Sequence, residues 1–329
     1  MTLAIKYCII TVLLLFAELL YFRLAFRYGI VDKPNLRSSH KKVTILGGGV
    51  IFPIAVWLWA MFFKVHDPWF LAGLSLVSIV SFADDIKSVP NKVRLVVQFL
   101  AIILIAHDLG LLTANMWWLI AALIISVGIV NAYNFMDGIN GMTGGYSLAV
   151  LVPLTVMDYY IGQELSLHTV VGISLLIFCY FNFRTRAKCF AGDIGAVSMA
   201  FILIFLLGRL ILLTKDLSYI IFLAVYGVDT VLTIIHRIML HERIGLGHRK
   251  HMYQIMANEL KIPHVVVSSI YSVVQLLISA GLIWLPINHY LYAGAVLLLL
   301  FVIYLVFMLK YYHLHAEYLA SIAENGGNK

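Results

Sequence analysis

Five short polar clusters hold most of the residues in this 329-residue chain that could do chemistry. The first is Asp84-Asp85, two adjacent carboxylates at the end of an apolar run. Such a pair can hold a divalent cation or accept a proton, and magnesium typically takes one or two carboxylates together with substrate phosphates. The plain alternative is a solvated loop in which the acids offset Lys87 and Lys92. The second cluster, Asn134, Asp137, Gly138 and Asn140, lies in a stretch without Lys or Arg. Its i, i+3, i+6 spacing would let the three polar side chains converge on a helix. Its glycines suit tight turns and close approach to a flat ligand. The third is Asp193, directly ahead of an apolar run, where it can cap a helix or face a bound cation. Asn182 and the basic residues Arg184, Arg186 and Lys188 precede it. The fourth runs through His248, Arg249, Lys250 and His251. Two histidines three apart share a helical face. The cations between them would repel zinc, so an anion such as a diphosphate is the better partner. The fifth holds Lys41 and Lys42 ahead of Gly47-Gly48-Gly49. Basic side chains beside glycine backbone suit phosphates, although on spacing alone a charged membrane anchor weighs more.

These clusters need elements to position them, and composition says which. Hydrophobic residues make up 62% of the chain, charged residues 12%, and mean hydropathy is +0.97. That charge is about half of the ~25% in an ordinary soluble domain. A cytosolic enzyme, a secreted disulfide scaffold and a disordered chain are excluded. The expected fold is all-α, a polytopic integral membrane protein with about eleven transmembrane helices. The apolar runs fall near 3–24, 45–63, 69–83, 94–112, 117–133, 143–160, 168–182, 194–213, 219–238, 265–285 and 290–309. With the N-terminus outside and the C-terminus cytoplasmic, nineteen of the 23 Lys and Arg residues fall inside, as the positive-inside rule requires. The expected organisation is a transmembrane catalytic domain over 1–310 and a cytoplasmic tail over 311–329. The net charge of +7 then reflects membrane orientation and phosphate binding, not nucleic acid. All five clusters lie on the inner face. A transporter would spread its polar residues through the bilayer midplane, so a surface enzyme fits better. Asp229, within a span, is a functional candidate or a partner of Arg237. Glu18 and His107-Asp108 are assigned to helix packing, and Cys8, Cys179 and Cys189 match no metal spacing.

The clusters resemble, in order, those of the polyprenyl-phosphate N-acetylhexosamine-1-phosphate transferases, glycosyltransferase family 4, relatives of phospho-MurNAc-pentapeptide translocase. The matching pieces are Asp32-Lys33-Pro34-Asn35 with Arg37 and His40, Asp84-Asp85, Asn134 with Asp137-Gly138, Phe190-Ala191-Gly192-Asp193, and His248 through Gln254. The last piece is most similar to the branch that starts O-antigen and other surface polysaccharides. The resemblance implies transfer of a sugar 1-phosphate from a UDP-N-acetylhexosamine to polyprenyl (undecaprenyl) phosphate, with release of UMP. It implies a multi-pass enzyme of the bacterial inner membrane, working at the cytoplasmic face among membrane lipids, and it allows a homodimer. It implies Mg²⁺, with Mn²⁺ as substitute, on Asp193 with Asp84 and Asp85, and leaves room for one of the pair to deprotonate the lipid phosphate. Asn134, Asp137, Gly138 and Asn140 would bind the nucleoside end. Asn182 would contact the diphosphate. His248, Arg249 and His251 would hold diphosphate or sugar, and Lys41 and Lys42 would flank the nucleotide. Asn140 stands where many relatives carry Asp. Ile45, Arg186 and Ala196 also depart from the pattern, with effects on loop shape. The competing reading is a transporter or lipid-linked sugar flippase without phosphotransfer.

Overall fold

The computed structural model describes residues 2–32, 43–63, 67–243 and 248–326, with side-chain surroundings given to residue 318. Lys41 and Lys42 of the fifth cluster, with the 33–40 stretch that carries Arg37 and His40, lie outside the described residues. The eleven apolar runs all coincide with helices. In order these are α1 (Leu3–Tyr28), α2 (Ile51–Phe63, preceded by the 3-10 turn Gly48–Val50), α3 (Pro68–Ile86), α4 (Asn91–Asp108), α5 (Met116–Met136) and α6 (Met142–Tyr160). Then follow α7 (Ser166–Asn182), α8 (Gly192–Thr214), α9 (Ala224–Met239, preceded by the 3-10 segment Leu217–Leu223), α11 (His264–Trp284) and α12 (His289–Gly326). A short helix, α10 (Met252–Asn258), lies between α9 and α11. Among the described residues, seven helical segments are long and apolar enough to cross a membrane, and Gly48–Phe63 and Ser166–Asn182 are shorter apolar helices. The chain is an all-α polytopic membrane protein. Helices are the expected solution, because each satisfies its own backbone bonds where lipid offers none.

Helix α8 is apolar on every side and buried along most of its length, from Gly192 to Leu207 with few breaks. Such a helix belongs at the centre of a bundle. Phe70 of α3 stacks against Phe205 and Phe201 of α8, at 4.1 and 6.0 Å between ring centroids. Gly49 approaches so closely that a Cβ there would lie 2.1 Å from the Cα of Gly195. Several buried polar groups find partners across the bundle. Gln275 of α11 accepts from the Tyr146 hydroxyl and the Val225 amide, at 2.7 and 3.1 Å. Asp108 accepts from the Phe70 amide at 2.6 Å, which closes the start of α3. At that same end, Asp158 of α6 meets His168 of α7 and Arg209 of α8 at 3.0 and 2.8 Å.

At the opposite end a two-stranded ribbon, β1 (Val31–Asp32) with β2 (Thr44–Ile45), joins the chain on either side of 33–42. Ile45 also bridges to Cys189, just ahead of α8. All of the described clusters gather at this end.

Candidate functional site

Asp84 sits in the last turn of α3, and Arg94 in the first turn of α4. One guanidinium nitrogen of Arg94 reaches two carboxylates, Asp84 at 2.6 Å and Asp193 at 2.9 Å. Arg94 thereby holds the Asp84 and Asp193 carboxyl groups close together, and Asn134 lines the same pocket as Asp193. Asp84 further accepts from the Val89 amide, which holds the α3–α4 turn closed. A small pocket opens here, lined by Ser81, Arg94, Gln98, Asn131, Asn134 and Asp193 together with Phe135 and four valines. Arg94 belongs to none of the five polar clusters. Its one legible signal is its place ten residues after Asp84 at the start of an apolar run.

Asp85 has a different job from its neighbour. Its two oxygens accept the Asp193 and Ile194 amides, at 2.8 and 3.1 Å. It therefore caps α8 from outside the helix, where the first amides lack intrahelical partners. Gly192 makes this possible. Its φ is +72°, and a Cβ there would lie 2.6 Å from an Asp85 oxygen. Gly192→Ala is expected to lower stability by about 1–2 kcal/mol from left-handed strain, with a further loss as Asp85 is displaced. A thermal midpoint equal to wild type in detergent would refute this cap.

The Asn134–Asp137–Asn140 spacing does not converge, because α5 ends at Met136. Asn134 lines the pocket with Asp193. Asp137 accepts from the Thr143 hydroxyl and the Gly192 amide. Asn140 donates to the Arg184 carbonyl at 3.0 Å. Buried Asn182 accepts from Gly141 N and donates to the Cys189 carbonyl, both at 2.8 Å. Asn140 and Asn182 thus spend their side chains tying loops together. The glycine run behaves likewise, since the Gly48 and Gly49 amides donate to Phe190 and Ala191.

Burial pushes the Asp137 carboxyl up from 3.8 to about 6, against the pull of Thr143 and Gly192. The folded chain then binds this proton more tightly than the unfolded chain. Its contribution to stability is full below pH ~4 and is lost as pH rises through about 6. Asp137→Asn removes that dependence. In EDTA, the midpoint of wild type relative to the variant should fall between pH 4 and 6, and a flat difference would contradict the assignment.

The histidines meet by another route than a shared helix face. His251 is the extended N-cap of α10, and its ring lies 4.9 Å from that of His248. Both rings face Phe135, at 6.2–6.3 Å, one residue from Asn134. Buried Asp229 of α9 holds this turn. It accepts the Tyr271 hydroxyl at 2.7 Å and the Met252 amide at 3.0 Å, and it contacts His251 Nδ1 at 3.3 Å. That leaves His251 Nε2, which is buried and has no hydrogen-bond partner among the described residues. Burial, with His251 and Arg237 alongside, pushes His248 down to about 3. It is a neutral ring at neutral pH. Arg249 lies 5.3 Å from the Tyr318 ring, on the α12 side.

Among the described residues no group of three or more His, Cys, Asp or Glu side chains is assembled to hold a metal alone. Asp84 and Asp193 do fit a cation shared with a phosphate ligand, since magnesium needs only one or two carboxylates when phosphates supply other ligands. Asp85, committed to α8, supports that pair from behind.

The chain matches the model of glycosyl transferase family 4 over residues 68–211. That stretch runs from the start of α3 through most of α8 and includes Asp84, Asp85, Asn134, Asp137, Asn182 and Asp193. It is 27% identical to a Bacillus subtilis protein named as a probable undecaprenyl-phosphate N-acetylglucosaminyl 1-phosphate transferase, over 80% of this chain and 82% of that one. It is 26% identical to the phospho-N-acetylmuramoyl-pentapeptide-transferase of Thermotoga maritima, over 62% and 71%. It is 28% identical to the undecaprenyl-phosphate alpha-N-acetylglucosaminyl 1-phosphate transferase of Yersinia pestis, over 56% of each chain. With the ordered clusters at one end of a polytopic bundle, the chain is similar to glycosyl transferase family 4 over a little under half of its length.

Proposed function

We propose that this protein transfers N-acetylhexosamine 1-phosphate from a UDP-sugar to undecaprenyl phosphate, releasing UMP. The observation that carries the reading is the meeting of Asp84, Arg94, Asn134 and Asp193 at one pocket, beside a turn that presents His248 and His251. Two of the similar proteins above bear names for this transfer with N-acetylglucosamine, which makes that sugar the first choice. The product would start a surface glycan such as an O-antigen.

An oxygen of the lipid phosphate forms a bond to the sugar-linked phosphorus, while the bond from that phosphorus to the UMP oxygen breaks. Such chemistry is mainly positioning and charge neutralisation. The lipid phosphate has a second pKa near 6, so it is largely dianionic at neutral pH and needs no base from the protein. Asp84 and Asp193 would hold Mg²⁺ (or Mn²⁺), which when bound neutralises developing charge on the phosphate oxygens. Arg94 keeps the two carboxylates together. His251, fixed through Nδ1 by Asp229, leaves the Nε2 lone pair to accept from a sugar hydroxyl. Phe135, partly exposed between the histidines and the pocket, offers a flat face to the uracil.

The lipid tail has a seat on the same helices. An apolar cavity of about 600 Å³ lies between α4, α5 and α8, lined by Ile102, Ile105, Ser126, Ile129 and Ile204 among others. The small pocket uses Gln98, Asn131 and Val197 of the same three helices, a turn or two nearer the carboxylates. A headgroup at Asp193 could therefore lead its isoprenoid along this seam. The basic residue bias supports a cytoplasmic position for this end, and the bacterial relatives support an inner-membrane setting.

The test is UMP release by the purified protein in lipid nanodiscs. Release should require both UDP-N-acetylglucosamine and undecaprenyl phosphate, and should stop in EDTA and return with Mg²⁺. No UMP from any of a panel of UDP-N-acetylhexosamines would overturn the reading.

A further inference from the structure

Helix α12 is far longer than a span needs. Its 38 residues extend about 57 Å at 1.5 Å per residue, against a hydrocarbon core of about 30 Å. The excess emerges at the site end and lies on the 248–259 segment. Tyr304 meets the Thr233 hydroxyl at 3.0 Å, and Thr233 in turn donates to Asp229. Tyr304 and Met308 bury themselves with Ile255 of α10. His236 of α9 packs edge-on to Tyr312 at 4.6 Å. His315 pairs with Glu259 at 2.8 Å, with both side chains almost fully buried, and so pins α12 to the end of α10.

The His-Arg-Lys-His run is divided between two surfaces. His248 and His251 face Phe135, which lines the pocket. Arg249 and Lys250 face α12. The Arg249 guanidinium stacks on Tyr318 at 5.3 Å and donates to its hydroxyl at 3.2 Å. The Lys250 ammonium lies 5.7 Å from the Tyr312 ring and pairs with Glu242. Two cations that would otherwise be drawn to an anionic substrate are thus held on the far side of the turn. A one-residue slip of the run would exchange its faces and swing a histidine away from Phe135.

We propose that the end of α12 is a positioning element for the sugar-nucleotide site: Tyr318, Tyr312 and His315 hold Arg249, Lys250 and α10 so that His248 and His251 face the substrate. This rests on the transferase reading for its kinetic consequence, but not for the contacts themselves. None of the three α12 residues need touch substrate. Their effect should fall on the donor, because their contacts converge on the histidine turn, whereas the lipid seam lies on α4, α5 and α8.

The experiment uses full-length Tyr318→Ala and Tyr318→Phe in nanodiscs, read by amide hydrogen exchange and by UMP-release kinetics. In Tyr318→Ala, exchange should rise in peptides covering 248–258 and stay at wild-type level around 84–94. KM for UDP-N-acetylglucosamine should rise about three- to tenfold, the worth of one cation–π contact with its hydrogen bond. KM for undecaprenyl phosphate and kcat should stay within about twofold, within the ordinary scatter of such changes. Tyr318→Phe keeps the ring and should recover most of the loss. Unchanged exchange over 248–258, or a loss shared equally by both substrates with loosening everywhere, would overturn the proposal. If wild type releases no UMP at all, the transferase reading fails, and the exchange pattern still decides whether α12 positions the turn.

Discussion

Asp193→Asn should reduce UMP release by at least about 10²–10³-fold, the scale of losing one preorganised electrostatic contact in a reacting centre, while the protein still inserts and elutes as wild type. The substitution keeps shape and removes charge. Asp193 is where Asp84, Arg94 and Asn134 all meet, and it opens the buried central helix α8. Its backbone amide is already engaged by Asp85, so the cap survives and the fold should tolerate the change. The loss should appear in kcat and in the Mg²⁺ concentration required, with modest change in donor KM. A variant retaining more than a tenth of wild-type rate would remove Asp193 from the reacting centre and leave Asp84 to account for any metal.

Asp229→Asn should act on a different quantity. This carboxylate gathers Tyr271, Thr233, the Met252 amide and His251 at a buried point. An amide in its place offers one acceptor and aims two N–H groups at donors. Removing one partner of a buried charged network costs about 3–5 kcal/mol. Part of that should surface as a fall of about 10² in kcat/KM for the UDP-sugar, because His251 loses the contact that fixes Nδ1. The Mg²⁺ requirement should remain as in wild type, which separates this variant from Asp193→Asn. A normal donor kcat/KM with only a lowered thermal midpoint would reduce Asp229 to a packing residue.

The positions of the helices were readable along the chain. Each apolar run stands between charges, prolines or glycines, and in lipid such a run has no alternative to the helix. The order of Asp84-Asp85, Asp137-Gly138, Asp193 and the His248–His251 run was equally plain, as was their crowding at the same end. Side-chain assignments within those clusters were less secure. Asn140 and Asn182 look like ligand contacts in a linear reading, yet both bond to backbone from neighbouring loops. The expected helical alignment of Asn134, Asp137 and Asn140 fails because α5 stops at Met136. Asp229 was expected either to act or to pair with Arg237. It instead organises a turn 22 residues further along the chain, while Arg237 bonds Glu242 at 3.1 Å.

Hydropathy and charge act locally. Each residue's preference for lipid or water is its own property, so the membrane class, the helices and the clustering of polar residues follow from composition and order. Which carboxylate caps a helix and which faces a ligand depends on groups far apart in sequence. Asp84 and Asp85 are chemically identical neighbours. One lies against Arg94 and Asp193, and the other has its oxygens on amides 108 and 109 residues away. Tyr318 reaches Arg249 across 69 residues. Long-range contacts of that kind follow from how the helices pack, and packing is where this chain divides its acids into those that hold the structure and those left for the substrate.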